Sequence, residues 1–288
     1  MEALTLSHVT KKYQAFTLNG ISFSLPKGYI MGYIGRNGSG KTTTIRMVTA
    51  LTRPDSGEIR LYGTRADDNI AAYKSSIGFV ADDCYFPQSL KPKDIAAISC
   101  SFYPTFDDKK FFRYLASWEI PADKKVKTFS AGMKTKLMLA AVFSRETKLL
   151  VLDEPTAGLD PLMRDSILEL LQDYIADGEK SVLFSTHIVS DLEKVADYIT
   201  FLDHGNLLFS APTDQLLEDH LVVKGGPDDF ARIPPEKRIG LKRSRTGAST
   251  LIRRADKGYF PENCLFEPAS CDDIFIYYTL QKDGEATC

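Results

Sequence analysis

The sequence predicts an α/β fold with a mostly parallel central sheet, an N-terminal antiparallel β subdomain, a helical subdomain and a small C-terminal α+β extension. Three observations carry this. First, short apolar runs at residues 29–34, 149–152 and 181–185 have the near-continuous apolar character of strands covered on both faces, as in a parallel sheet. Second, Leu4 and Leu6, and later residues 21–25, alternate with polar neighbours, which is the pattern of half-buried strands. Third, from Ser89 to about Val142 the apolar residues recur at mixed three- and four-residue spacing, a helical pattern.

Composition bounds the possibilities. The chain has 288 residues, 26% charged and 43% apolar, enough for one large globular domain plus a small one. A formal net charge of −2 gives no global basic field for nucleic acid. No apolar run approaches a membrane span, and the first residues lack the basic-then-apolar pattern of a signal peptide. A cytosolic chain is expected, with docking on a membrane protein left open. The five cysteines (Cys84, Cys100, Cys264, Cys271 and Cys288) are odd in number and scattered, with no C-x-x-C. Free reduced thiols are the expectation.

Taken in order, the first two strands meet in a hairpin that carries Tyr13. Its ring could stack on a base, although a lone tyrosine in a hairpin more often just packs. Pro26-Lys27-Gly28 is a turn feeding the strand at residues 29–34. Next comes Gly35-Arg36-Asn37-Gly38-Ser39-Gly40-Lys41-Thr42, then a helix. Strand, G-x-x-x-x-G-K-[ST] and helix together make a phosphate-binding loop, and hence a P-loop NTPase fold. Its glycines let backbone N–H groups converge on phosphate oxygens at the positive end of the helix. Lys41 is suited to the β- and γ-phosphates, and the Thr42 hydroxyl to Mg²⁺.

The helix ends before Pro54; residues 58–62 and 77–80 read as strands, and Asp82 and Asp83 follow the second. The helical region holds Phe102, Tyr103, Phe106, Phe111, Phe112, Tyr114 and Trp118, most of them expected in a small core and a few in an exposed groove for a partner. Ser130 is the N-cap of the next helix. The strand at 148–152 then ends in Asp153 and Glu154. Carboxylates at the carboxyl edge of a central parallel strand stand where ligands bind, and suit Mg²⁺ and its waters. Asp160-Pro161 opens a helix with Ile167, Leu168, Leu171, Tyr174 and Ile175 as its apolar stripe. His187 follows the strand at 181–185 and is a candidate γ-phosphate sensor. A hairpin turns at His204-Gly205.

Composition shifts after about Leu217, dividing the chain into residues 1–217 (helical subdomain about 86–142) and 218–288. The stretch from Arg232 to Lys257 is locally basic, with Lys237, Arg238, Lys242, Arg243, Arg245, Arg253 and Arg254; a solvated β surface is the expected reading, ahead of a lipid or nucleic-acid patch. Residues 272–280 read as a final helix with one buried face.

Residues 2–217 resemble the ATP-binding subunit of an ABC transporter. The resemblance implies roles residue by residue. Tyr13 stands at the family's adenine-stacking position, reversing the packing reading. Gly35 to Thr43, including Asn37, Gly38, Ser39, Gly40, Lys41, Thr42 and Thr43, look like its phosphate loop. Asp153 matches the Mg²⁺ aspartate, Glu154 the catalytic carboxylate, and His187 the switch histidine. Ala157-Gly158-Leu159-Asp160 is similar to the loop that couples two subunits. The signature departs from Leu-Ser-Gly-Gly-Gln: it reads Phe129-Ser130-Ala131-Gly132-Met133, keeping the Ser130 and Gly132 implied to meet the γ-phosphate. At the lid, Asp82 replaces the usual Gln; as an implied Mg²⁺ contact it would need a water or a closer loop.

Phe-Ser-x-Gly-Met-Lys and the closing Asp273-Ile-Phe-Ile-Tyr-Tyr resemble the ABC-2 type branch serving small six-helix permeases that export peptides, antibiotics or lipids, peptide-toxin exporters among them. The implied protein is a Mg²⁺-dependent ATPase that works as a head-to-tail dimer with a second copy or close homologue. It would sit on the inner face of the membrane through a separate permease, with no nucleic-acid partner. The competing reading is a soluble ABC-type ATPase acting on nucleic acid or ribosomes, which would account for the basic tail. Translation-type members carry two ATPase units and DNA-repair types a long coiled coil, and neither is in this sequence. A small-molecule kinase shares only the phosphate loop.

Overall fold

The computed structural model describes residues 1–230, 233–244 and 247–284. Arg232, Arg245 and Cys288 lie outside the described residues. Among the described residues three sheets form. The central one has six strands in the order Asn206–Pro212, Tyr198–Asp203, Ile30–Ile34, Ser181–Ser185, Leu149–Asp153, Ile77–Val80. All neighbours are parallel except the edge strand Asn206–Pro212, which returns by a hairpin. The strands Ile30–Ile34, Leu149–Asp153 and Ser181–Ser185 are buried at every residue, which is why their sequences run apolar without alternation. Parallel pairing sets Asp153 opposite Ser185, so both strands end at one edge.

The antiparallel sheet runs Thr17–Pro26, Glu2–Lys12, Ser56–Leu61, Thr64–Arg65. Leu4, Leu6, Ile21, Phe23 and Leu25 point inward onto Met31, Tyr33 and the helix Lys41–Val48, so alternation marks one covered face. This packing holds the phosphate loop from behind.

Helices Pro92–Phe102, Asp108–Ser117 and Ala131–Phe143 share a small core of Ile95, Phe106, Phe111, Leu115, Phe129 and Leu137. Of the seven aromatic residues expected there, Phe106 and Phe111 are buried, while Tyr114 stacks on Trp118 at 4.8 Å. Phe102 is 75% exposed and Phe112 also faces solvent, because each lies on its helix's outer side.

The C-terminal sheet is antiparallel, in the order Ile239–Arg243, Ala248–Arg253, His220–Gly225, Leu265–Pro268. One face covers Phe230, Ile233 and Phe260. The other is covered by the helix Cys271–Asp283, which opens with a capping box between Ser270 and Asp273. That helix also packs on the central sheet: Phe275 lies 5.0 Å from Phe201, and Tyr278 lies 5.2 Å from Phe209, centroid to centroid. Ile274 and Tyr277 are buried in the same cluster as Ile199 and Leu192. The basic stretch is in part neutralised locally, with Lys237 Nζ donating to Asp256 at 2.8 Å and Arg254 Nε to the Glu218 carbonyl at 2.6 Å. Lys242 and Arg243 are exposed on the edge strand. No helix among the described residues is long and apolar enough to cross a membrane.

Candidate active site

Strand Ile30–Ile34 delivers the chain to the glycine-rich loop at the carboxyl edge of the central sheet, and helix Lys41–Val48 leaves it. The turn depends on left-handed residues: Gly38 has φ +78° and Gly40 φ +111°, conformations open to glycine. Gly35 is needed for a different reason. A Cβ there would run into the Leu202 carbonyl and stand 2.5 Å from Ser39 Oγ.

The loop opens onto a cleft of about 720 Å³. At one end stand Tyr13, Ala15 and Phe16. Along its floor are Asn37, Gly38, Gly40, Lys41, Thr42 and Thr43, and at the other end Asp82, Asp153 and Glu154. Tyr13 is 47% exposed, so its ring face is available. Lys41 is turned into its own loop, where Nζ donates to the Gly35 carbonyl at 2.6 Å and less closely to that of Arg36 at 3.4 Å. Burial pushes its ammonium below the usual lysine range, against the pull of Glu154 and Asp153. A buried cation whose hydrogen-bond partners among the described residues are carbonyl oxygens suits an anionic ligand.

Asp153 is buried at 4% exposure, with two hydroxyls on its carboxylate. Ser185 Oγ donates to Oδ1 at 2.9 Å and Thr42 Oγ1 to Oδ2 at 3.2 Å. Burial raises its pKa; these two hydrogen bonds oppose the shift, and Glu154 and Asp82 add to it. No group of three or more His, Cys, Asp or Glu side chains placed to hold a metal ion occurs among the described residues; the buried Asp153 carboxylate and the Thr42 hydroxyl on it are a partial hard-oxygen set that suits Mg²⁺ once waters and phosphate oxygens complete it. Thr42, Asp153 and Asp82 would hold the ion.

Glu154 follows the strand end with φ +51°, left-handed backbone that is uncommon for a side chain of this size. Its Oε2 accepts the His187 backbone N–H at 3.2 Å and faces His187 Nδ1 at 2.8 Å. His187 thus joins the site through Glu154. Ser130, Gly132 and Asp160 stand apart from the cleft. Ser130 Oγ caps its helix by accepting the Met133 N–H at 3.2 Å. Gly132 packs against the loop before Asp160, where an added Cβ would lie 3.3 Å from the Gly158 carbonyl. Asp160 Oδ1 caps the next helix by accepting the Met163 N–H at 3.0 Å, which lowers its pKa. Gly35 and Ser39 support the loop from beneath, and Ser39 is buried.

Five cleft residues were not named as site residues from the sequence: Ala15, Phe16, Arg46 and His204, and Arg36, which lies within the phosphate loop read there. Ser185, which orients Asp153, was missed as well, although aligning the two parallel strands by their apolar runs would have set it opposite. Arg46, one helical turn after Thr42, was within reach of the same period. Nothing in the sequence pointed to Phe16 or His204.

The profile described as ABC transporter matches residues 18–157. The ABC transporter ATP-binding protein YtrB of Bacillus subtilis (strain 168) is 32% identical over 207 residues, 72% of this chain and 70% of YtrB. The Nod factor export ATP-binding protein I of Burkholderia lata is 30% identical over 290 residues, 94% of this chain and 95% of that protein. A solved structure of an ATP-binding subunit of an ABC transporter superposes with a TM-score of 0.68 at 26% identity, covering 74% of this chain and 91% of that one.

Proposed function

Because this chain belongs to the ATP-binding, ATP-hydrolysing proteins of ABC transporters, we propose that it is the motor of an exporter. In this reading it acts as a head-to-tail pair coupled to a separate ABC-2 type permease. The likeness to the Nod factor export protein over nearly the whole of both chains supports the export assignment. One observation carries the paired site: Ser130, exposed at the N-cap of helix Ala131–Phe143, and Gly132, in the first turn of that helix, stand apart from the cleft that holds Lys41, Thr42 and Glu154. A second copy would bring its own Ser130 and Gly132 to the mouth of that cleft.

The chemistry follows from the side chains. Phosphate oxygens would replace the Gly35 and Arg36 carbonyls as partners of the Lys41 ammonium, and loop N–H groups would take the rest. Glu154 would accept a proton from the attacking water. His187 would hold the carboxylate through Oε2 and reach toward the γ-phosphate. Mg²⁺, when bound by Thr42, Asp153 and Asp82, supplies charge neutralisation on the phosphates. The protein would reach the inner face of the membrane only through its permease.

Mixing two inactive variants tests the pairing. Lys41→Ala and Ser130→Glu should each abolish turnover. In a mixed dimer one composite site carries neither lesion, so mixing should restore part of the ATPase activity. Absence of rescue, together with turnover independent of protein concentration, would overturn the shared site. Co-purification with a membrane permease tests the coupling, and recovery with RNA or ribosomes instead would count against it.

A further inference from the structure

We propose that His204 is a nucleoside-recognition residue, contacting the ribose hydroxyls of the nucleotide bound in the cleft. The proposal rests on the nucleotide-site reading above. His204 lines the cleft, is 71% exposed at its side chain, and comes from the turn between the last two strands of the central sheet. That turn is tied to both ends of the site. The Gly205 N–H donates to the Ser39 carbonyl at 2.9 Å, which fixes the turn against the phosphate loop. On the other side, Asn19 N–H donates to the Gly205 carbonyl at 2.8 Å, and a Cβ on Gly205 would lie 3.3 Å from the Phe16 ring. His204 therefore sits between the loop that suits phosphates and the aromatic end that suits a base. The sugar spans that interval in any nucleoside triphosphate.

The backbone that carries the imidazole is held in place by the turn's hydrogen bonds. His204 has φ +44°, a left-handed conformation that costs a β-carbon residue energy and is retained here by the hairpin. Behind it, Asp203 is 4% exposed, and its Oδ1 has no hydrogen-bond partner among the described residues while lying 3.9 Å from His204 Nε2. At that distance the ring makes no hydrogen bond to the carboxylate, so its nitrogens can meet a ligand in the cleft. Imidazole nitrogens donate and accept at hydroxyl distance, so a ribose diol is a suitable partner.

The test is calorimetric affinity for ATP and for 2′,3′-dideoxy-ATP in the wild type and in His204→Gly. Glycine removes the side chain while accepting the positive φ, so the hairpin is kept; melting temperature checks this. The wild type should prefer ATP by about tenfold, the scale of one hydrogen bond to an otherwise unpaired partner. His204→Gly should bind the two nucleotides equally, at the wild-type affinity for the dideoxy compound. A wild type without preference, or a variant that keeps the preference, overturns the assignment. A wild type that bound neither nucleotide would overturn the nucleotide site itself and this inference with it.

Discussion

Glu154 and His187 meet at a single oxygen: Oε2 accepts the His187 backbone N–H at 3.2 Å and faces Nδ1 at 2.8 Å. The carboxylate is 13% exposed and the imidazole 58%, so the histidine covers the carboxylate from the solvent side. Glu154→Gln should keep ATP binding and lower turnover by about 10²–10⁴-fold, while a closed ATP-bound dimer accumulates. Phosphate release and size-exclusion chromatography with ATP measure both. Near-wild-type hydrolysis would remove Glu154 from the chemistry.

If His187 acts through Glu154, the two losses do not add. His187→Ala should slow turnover by about 10–100-fold on its own. On top of Glu154→Gln it should cost little more. A double variant whose loss equals the product of the single losses would mean that the residues act separately.

Asp153 carries a pH signature. Burial raises its folded-state pKa, so the folded chain resists ionisation more than the unfolded chain does. Such a group leaves stability intact below the unfolded pKa and weakens it as pH rises through the folded pKa. Asp153→Asn should therefore raise the melting temperature of the ligand-free protein at neutral pH. The gain should shrink as pH falls through the carboxylate range. Thermal melts across that range, with ATP absent, check the sign; a gain that grew at low pH would refute it. The same variant should lose the Mg²⁺ dependence of ATP binding.

Two glycines of the phosphate loop are needed for different reasons. Gly35→Ala would press a Cβ into the Leu202 carbonyl and Ser39 Oγ, and should cost about 1–3 kcal/mol along with ATP binding. At Gly38 a Cβ would meet nothing within 4 Å, so Gly38→Ala should cost only the left-handed backbone, about 1–2 kcal/mol. Denaturant titration with paired binding measurements separates them.

The final helix belongs to the main core. Ile274 is 2% exposed among residues of both the C-terminal sheet and the central sheet. Ile274→Ala should destabilise the whole chain by about 2–5 kcal/mol in a single urea transition. A separate early transition for the C-terminal segment would show that it unfolds independently.

Much of this protein was legible before any fold. The phosphate loop announces itself because its chemistry needs glycines, a lysine and a hydroxyl at fixed spacing on one continuous segment. Asp153 and Glu154 were legible because a strand buried on both faces is written as an apolar run, and what ends it stands at the sheet's ligand edge. Ser130 and Asp160 were read correctly as helix caps, since capping is local. Tertiary structure decided the rest. Ser185 acquired its role from strand pairing with Asp153, and His204 and Phe16 reached the cleft only because a distant hairpin packs on the phosphate loop. The final helix's apolar face was visible in sequence, but its partners Phe201 and Phe209 were not. Local geometry is encoded by neighbours along the chain. Contacts across 166 residues, such as that of Ser39 with Gly205, exist only once hydrophobic burial has chosen one packing among many.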